Sequence, residues 1–284
     1  MTSGRRHRVK ARIRWIGEYP AFSVEIAKIA AVPAVDRITY LGHATLLIEL
    51  GSARLLTDPI LRSGFAHVRR QAPAIDVAAL GRPDAVLVSH LHHDHLDLPS
   101  LRRLGRVAPL VVPRGAGAFL RSHGFAHITE LAPGDEARAG AALITATRAD
   151  HDDHRFGTRL RAEPLGFIVA GSGRRVYFAG DTDLFGGMAE LADPPLDVAL
   201  IPVWGWGPSL GPGHLDPAEA ARALALLRPR VAIPIHWGTF YPTGLRRLRP
   251  EPLWRPPRDF LRLAAHEAPG VDVQVIEPGG RLEL

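Results

Sequence analysis

No cysteine occurs among the 284 residues, so thiolate chemistry is closed to this chain: it has no disulfide framework, no Cys-based zinc site and no cysteine nucleophile. Any metal must be held by imidazole and carboxylate. Lysine is almost missing too, at Lys10 and Lys28 alone, and the net charge of +6 comes from arginines scattered through Ala-, Gly- and Pro-rich sequence. That scatter argues against a nucleic-acid surface and reads as a GC-rich compositional habit, with "RRHRVKARIR" at residues 5–14 the best candidate for a basic arm. No stretch of 18 apolar residues exists, and the N-terminus has no apolar run ending in a small-residue cleavage site. The expectation is a cytoplasmic protein with no transmembrane segment. The spacing G-x-S-x-G occurs as "GPSLG" at residues 207–211, but inside a glycine- and proline-rich loop and not at the strand-to-helix turn that makes a nucleophile elbow, so it does not carry the signature of a serine hydrolase.

What is present is enough apolar sequence, 46% of residues, to bury a full core. Residues 1–35, including the short amphipathic piece "SVEIAKIAAV", read as an N-terminal extension packed on a main domain over residues 36–284. From Ile38 onward short strands and helices alternate: "TLLIEL", "ARLLTD", "DAVLVS", a helix over "DLPSLRRL", "PLVVP", a helix around "GAGAFLRSH", "HITEL", "AALITATRA", a hairpin "LGFIVAGSGRRVYFAG", "DVALIPV" and "RVAIPIHW". A last helix near "RDFLRLAAHEA" and a strand at "DVQVIE" close the chain. Such mixing predicts sheets sandwiched between helices. The clearest helix start follows "GHLDP", where Asp216 is the expected N-cap, Pro217 the first helical residue and Glu219 the partner in a capping box.

Residues 89–95, "SHLHHDH", put four histidines and an aspartate directly after the apolar run "DAVLVS". The spacing H-x-H-x-D-H lets His90 and His92 point to one metal while Asp94 and His95 turn toward a second. Neutral nitrogen with anionic oxygen suits zinc first, and manganese or iron as well. The other candidate aspartates and histidines share one placement, each where an apolar strand ends, so distant parts of the chain can meet along one edge of the sheets.

Together with "YLGHATLLIEL", "LLTDP", "ADHDD", "YFAGDTD" and "IPIHWG", this motif resembles the metallo-β-lactamase-fold hydrolase superfamily over residues 36–280. "LGHAT", "TDPI" and "GHLDPAEA" are similar to the branch containing N-acylphosphatidylethanolamine phospholipase D and the L-ascorbate-6-phosphate lactonases. The resemblance implies an α/β fold of four layers, the αββα sandwich, with two divalent metal ions at one edge. Carried onto this sequence, it places His90, His92 and His151 on the first ion, Asp94, His95 and His236 on the second, and Asp181 between them. "ADHDDHRFG" also offers His154, but His151 is nearer the preceding strand. Asp58, ending "ARLLT", is expected to accept the outer N–H of a ligand histidine. His43 could support a ligand or line the pocket, and Trp204 and Trp206 could wall an apolar pocket or belong to the core.

Two ions about 3.5 to 4 Å apart can share a hydroxide at neutral pH, so no protein nucleophile is required. Asp94 and Asp181 would orient that nucleophile, and His214, just outside a helix N-terminus, would contact substrate or protonate the leaving group. The function expected is hydrolysis of an ester, lactone or phosphodiester in a small molecule or lipid, with an anionic substrate favoured. A nuclease of the same superfamily is the first alternative, but no long basic insertion is there to clamp nucleic acid. A di-iron oxidoreductase is the second; in proteins of that kind a glutamate typically stands where this chain has His92. A non-catalytic protein would not need all seven ligand positions filled. Nothing in the chain decides between a monomer and a homo-oligomer.

Overall fold

The computed structural model describes residues 35–284, so the basic arm, the amphipathic piece and all but the last residue of the expected extension lie outside the described residues. The strands, in chain order, are β1 (Arg37–Gly42), β2 (Thr45–Leu50), β3 (Ala53–Thr57), β4 (Gly64–Phe65), β5 (Val68–Arg70), β6 (Ala85–Leu87), β7 (Leu110–Pro113), β8 (Ile128–Leu131) and β9 (Glu136–Ala139). They continue with β10 (Ala142–Arg148), β11 (Leu165–Gly171), β12 (Arg174–Phe178), β13 (Val198–Pro202), β14 (Val231–Ile235), β15 (Phe240–Pro242), β16 (Asp272–Val273) and β17 (Arg281–Glu283). Four helices, α1 (Leu98–Leu104), α2 (Gly117–Ser122), α3 (Pro217–Leu227) and α4 (Arg255–Glu267), accompany them.

Two seven-stranded sheets result, ordered β17-β1-β2-β3-β6-β7-β8 and β16-β14-β13-β12-β11-β10-β9. Ile38, Tyr40, Leu46 and Ile48 of the first sheet share one buried cluster with Ile144, Phe167, Val169 and Val176 of the second, so the sheets pack face to face. Ala220, Leu224, Leu227, Phe260 and Ala264 of α3 and α4 close the outer face of the second sheet. On the outer face of the first, Val86, Leu110 and Val112 meet Leu101 and Leu120 of α1 and α2. Each such large aliphatic or aromatic side chain contributes about 1.5 to 3 kcal/mol on burial. The architecture is therefore the four-layer αββα sandwich.

Strand direction decides where the site can be. β1 and β3 are both antiparallel to β2, and β3 and β6 are parallel. In the second sheet β12, β13 and β14 run parallel, and β10 joins their direction through the antiparallel β11. The carboxyl ends of β1, β3 and β6 thus share one edge of their sheet, and those of β10, β12, β13 and β14 one edge of theirs, which is where α/β proteins gather their ligands.

Two parts differ from the sequence pattern. The strand expected over "DVQVIE" is only β16, Asp272–Val273, because the chain turns through Pro278, Gly279 and Gly280 to form β17 against β1. A third sheet, β15-β5-β4, is made of strands of two or three residues, too short to register as a period-two pattern. The helix after "GHLDP" begins as expected: Asp216 accepts from the Ala218 and Glu219 amides at 2.8 Å each, and the Glu219 side chain accepts from the Asp216 amide.

Candidate metal centre

Every residue that could hold or position an ion leaves a strand at the edge just described, while His214 comes from the loop before α3. His43 follows β1, Asp58 follows β3, "SHLHHDH" follows β6, His151 follows β10, Asp181 follows β12 and His236 follows β14 at once. The loop after β6 tightens because the His92 carbonyl accepts from the amides of both His95 and Leu96. It then runs into α1, whose N-cap Asp97 accepts from Ser100 and pairs with Arg62 at 2.7 Å.

Two groups of donor atoms come together. His90, His92 and His151 form one, and His43, Asp94, His95 and His236 the other, with the chosen atoms of each group within 4.8 Å of one another. Asp181 stands between them: its Oδ2 lies 3.1 Å from His95 Nε2, 3.3 Å from His236 Nε2 and 3.4 Å from His214 Nε2. The same carboxylate groups with His151 and His214. His154 is elsewhere, its Nε2 on the Thr158 carbonyl at 2.7 Å. Asp181 can reach so far in because Gly180 precedes it with φ 64°; a Cβ there would stand 2.7 Å from Ser89 Cβ.

Proton positions follow from the partners. A backbone carbonyl only accepts, so the Nδ1 of His151, 2.7 Å from the Gly213 carbonyl, and that of His236, 2.6 Å from the Trp204 carbonyl, carry hydrogen. His95 Nδ1 donates to Asp58 Oδ2 at 2.7 Å. Ser89 gives its one hydroxyl proton to the same carboxylate, so its oxygen accepts from His90 Nδ1 at 2.9 Å. The inner nitrogens of His90, His151 and His236 are therefore lone pairs turned into one buried space, and His95 Nε2, 3.1 Å from Asp181 Oδ2, joins them when it gives up the proton it donates there.

Two contacts in that space bring ring nitrogens face to face. His95 Nε2 and His236 Nε2 face each other at 3.1 Å, and His151 Nε2 faces His92 Nδ1 at 3.0 Å. A proton or a cation must sit between the two nitrogens of each pair. His90 Nε2 and Asp181 Oδ1 are buried with no hydrogen-bond partner at all, a condition that costs about 1 to 3 kcal/mol per group if nothing compensates. The donor set is five imidazoles and two carboxylates, which fits divalent zinc, manganese or iron.

The electrostatics agree. Burial works to raise the Asp181 carboxyl, yet His236 and His95 beside it hold it well below the usual carboxylate range. Burial depresses His236 and His90 well below the ordinary imidazole value. His151 is lowered to about 4 by burial, with His214 and His92 adding to it. Burial opposes protonation of His95 as well, but Asp181, Asp58 and Asp94 together raise it well above the ordinary value. At His214 the Asp181 carboxylate outweighs burial and brings the imidazole up to about 9.

Residues that the motifs did not single out hold this arrangement. Ser89 links Asp58 to His90, and its own amide donates to Asp58 Oδ1 at 2.7 Å. The buried Arg155 guanidinium donates to the carbonyls of Leu91 and Leu96 and approaches His93 Nδ1 at 3.1 Å, tying the His151 loop to the back of "SHLHHDH". Only their place inside the histidine-rich stretches could have drawn attention to them. Trp204 packs against the main core, and its ring lines a cleft of 550 Å³ shared with Pro208, Pro217, Arg249 and Arg255. Trp206 sits edge-on to Phe65 and His67, against the cluster that contains Phe240.

Residues 53–237 match the family model described as a beta-lactamase superfamily domain, and the chain belongs to that family. A UPF0173 metal-dependent hydrolase of Deinococcus radiodurans is 32% identical over 250 residues, spanning 87% of this chain and 99% of that protein. An N-acyl-phosphatidylethanolamine-hydrolyzing phospholipase D 1 of Caenorhabditis elegans is 32% identical over 242 residues, 75% of this chain and 67% of its own, and falls in the branch to which the motifs pointed. Among solved structures, a metallo hydrolase from the archaeon Ignicoccus hospitalis superposes with a TM-score of 0.68 at 26% identity, covering 88% of this chain and 98% of that one.

Proposed function

We propose that this protein is a hydrolase working with two divalent metal ions, zinc by preference, on an ester, lactone or phosphodiester of a small molecule or lipid. The observation that carries the reading is the buried convergence of imidazole lone pairs on either side of Asp181. His90, His92 and His151 would hold one ion, Asp94, His95 and His236 the other, and Asp181 would contact both. Ions held there would lower the pKa of water and polarise the bond to be broken. Asp94 and Asp181 orient the attacking water and can take its proton. His214 donates to the leaving group from Nε2, while its Nδ1 is anchored near the carbonyls of Gly211 and Pro212 at 3.2 and 3.1 Å.

Support for an anionic substrate comes from His214, charged at neutral pH by the shift described above. The N-terminus of α3 adds little, because the Asp216 carboxylate already occupies its first free amides. No helix among the described residues is long and apolar enough to cross a membrane. The deciding experiment is a stepwise zinc or manganese titration of chelator-treated protein, followed by a screen of the loaded protein against p-nitrophenyl phosphodiesters and a lactone panel. Saturation at two ions per chain with turnover of one substrate class is the expected result. Saturation at one ion or none sinks the proposal.

A further inference from the structure

His43 touches the site in three ways at once. Its Nε2 lies 3.0 Å from Asp94 Oδ2, its ring packs against that of His236 with centroids 3.9 Å apart and planes tilted by 34°, and its carbonyl accepts the His236 amide at 2.8 Å. The side chain is 1% exposed, and the edge of Phe240 closes it from behind at 5.4 Å. A carboxylate only accepts, so His43 must present an N–H to Asp94.

The surrounding motif is built to hold this residue. The turn "LGHAT" needs glycine at position 42, where φ is 113° and a Cβ would stand 2.7 Å from Thr239 Oγ1; that same hydroxyl oxygen accepts from the His43 amide. His43 itself adopts φ 59°. Two residues on, Thr45 donates its hydroxyl to the Asp58 carbonyl at 2.8 Å and accepts the Ile60 amide at 3.1 Å. One turn thus fixes the strand end carrying Asp58, which holds His95, and supplies the ring that meets Asp94 and His236.

We propose that His43 is the positioning residue for the second metal position, fixing the Asp94 carboxylate by a hydrogen bond to Oδ2 and the His236 ring by close packing against it. His43 binds no ion in this account. It sets the direction of Asp94 Oδ2, which stands 3.7 Å from His95 Nε2 and 3.9 Å from His236 Nε2, before any ion arrives, which is the preorganisation that an outer partner supplies to a ligand. The proposal rests on the dinuclear reading for its consequence, and on geometry alone for its premise.

The test uses two substitutions. His43→Gln keeps an N–H near the position of Nε2; His43→Asn tolerates the left-handed backbone but is too short to reach Asp94. In stepwise zinc titration against a competing chelator, the Asn variant should keep the ion at His90, His92 and His151 at wild-type affinity while the other weakens by about 10- to 100-fold. The Gln variant should recover most of that loss. Crystal structures of the metal-free variants examine the premise: Asp94 keeps its orientation with Gln and turns away with Asn. An Asp94 unmoved in the Asn variant overturns the proposal whatever the metal count. Equal weakening of both ions, or equal loss in both variants, overturns it too, since either means that His43 only packs. A wild-type protein that binds fewer than two ions would instead refute the dinuclear reading, and the crystal structures would still decide on His43.

Discussion

Replacing Asp58 by asparagine changes one atom and inverts a hydrogen bond on which the second metal position depends. Asp58 is fully buried and accepts from the Ser89 amide, the Ser89 hydroxyl and His95 Nδ1 at 2.7, 2.5 and 2.7 Å. An asparagine oxygen can keep the Ser89 amide, but its NH₂ then faces both the Ser89 hydroxyl, which turns to accept from it, and His95 Nδ1, which gives up its proton and leaves the ring protonated at Nε2 alone. That proton is well received in the metal-free protein, because His236 Nε2 lies 3.1 Å away. Folding should suffer little. An ion arriving at His95 must first drive the proton back to Nδ1, against an opposed N–H. The loss is one charge-assisted hydrogen bond plus one unsatisfied donor, together about 3 to 4 kcal/mol, or roughly 10²- to 10³-fold in affinity. Chelator-competed zinc titration should show the second ion weakened by that factor and the first nearly unchanged, with the metal-free melting temperature close to wild type. Unchanged affinity for both ions would refute the tautomer argument and leave Asp58 as a residue of the turn alone.

Asp181→Ala should abolish hydrolysis and cut the bound metal below two ions per chain by elemental analysis; near-normal turnover would show the carboxylate to be misassigned. His214→Ala should keep two ions while lowering kcat by roughly 10²- to 10⁴-fold, less for substrates with good leaving groups. Loss of an ion in that variant would make His214 a ligand, as its grouping with His151 and Asp181 allows. Zinc at a hundredfold excess over its dissociation constant should stabilise the fold by about 2.7 kcal/mol, hence raise the melting temperature by about 5 °C, and chelator should reverse it. A melting curve indifferent to zinc would mean that the lone pairs in the site are neutralised by protons alone.

Much of the site was legible because its residues are concentrated and chemically unusual. "SHLHHDH" declares itself by composition, and the capping box at Asp216 and Glu219 sets the start of α3 from three residue types at fixed spacing. "FAGDTD" and "IPIHWG" were legible as strand ends, where apolar alternation stops at an ionisable residue. Arg155 was not, since among 35 lysines and arginines nothing in the chain distinguishes the one whose guanidinium is buried against the carbonyls of Leu91 and Leu96. The role of His43 was left open for a similar reason. It is set by contacts with Asp94, 51 residues away, and with Thr239, 196 residues away. The third sheet escaped because strands of two and three residues carry no period.

The backbone shows why such a site is costly to build. Among the described residues six other than glycine have positive φ, and three of them, His43 at 59°, Asp58 at 32° and His236 at 63°, belong to this site. Left-handed backbone at a non-glycine residue costs on the order of 1 to 3 kcal/mol. Glycine would relieve the strain at each position, but it has no side chain to offer. The geometry of a strand supplies the reason for accepting the strain: successive side chains leave toward the two faces of the sheet, and neither direction leads past the strand end. Reversing φ at the first residue beyond a strand swings its side chain off the face and out over the edge. The strain is then held in place by bonds that do not involve any metal: Asp58 N to the Leu87 carbonyl at 2.8 Å, His43 N to Thr239 at 2.7 Å and His236 N to the His43 carbonyl at 2.8 Å. The site is therefore shaped before an ion arrives, and because His236 hangs from His43, the turn of the "LGHAT" motif and the end of β14 must fold as one unit for either histidine to reach its place.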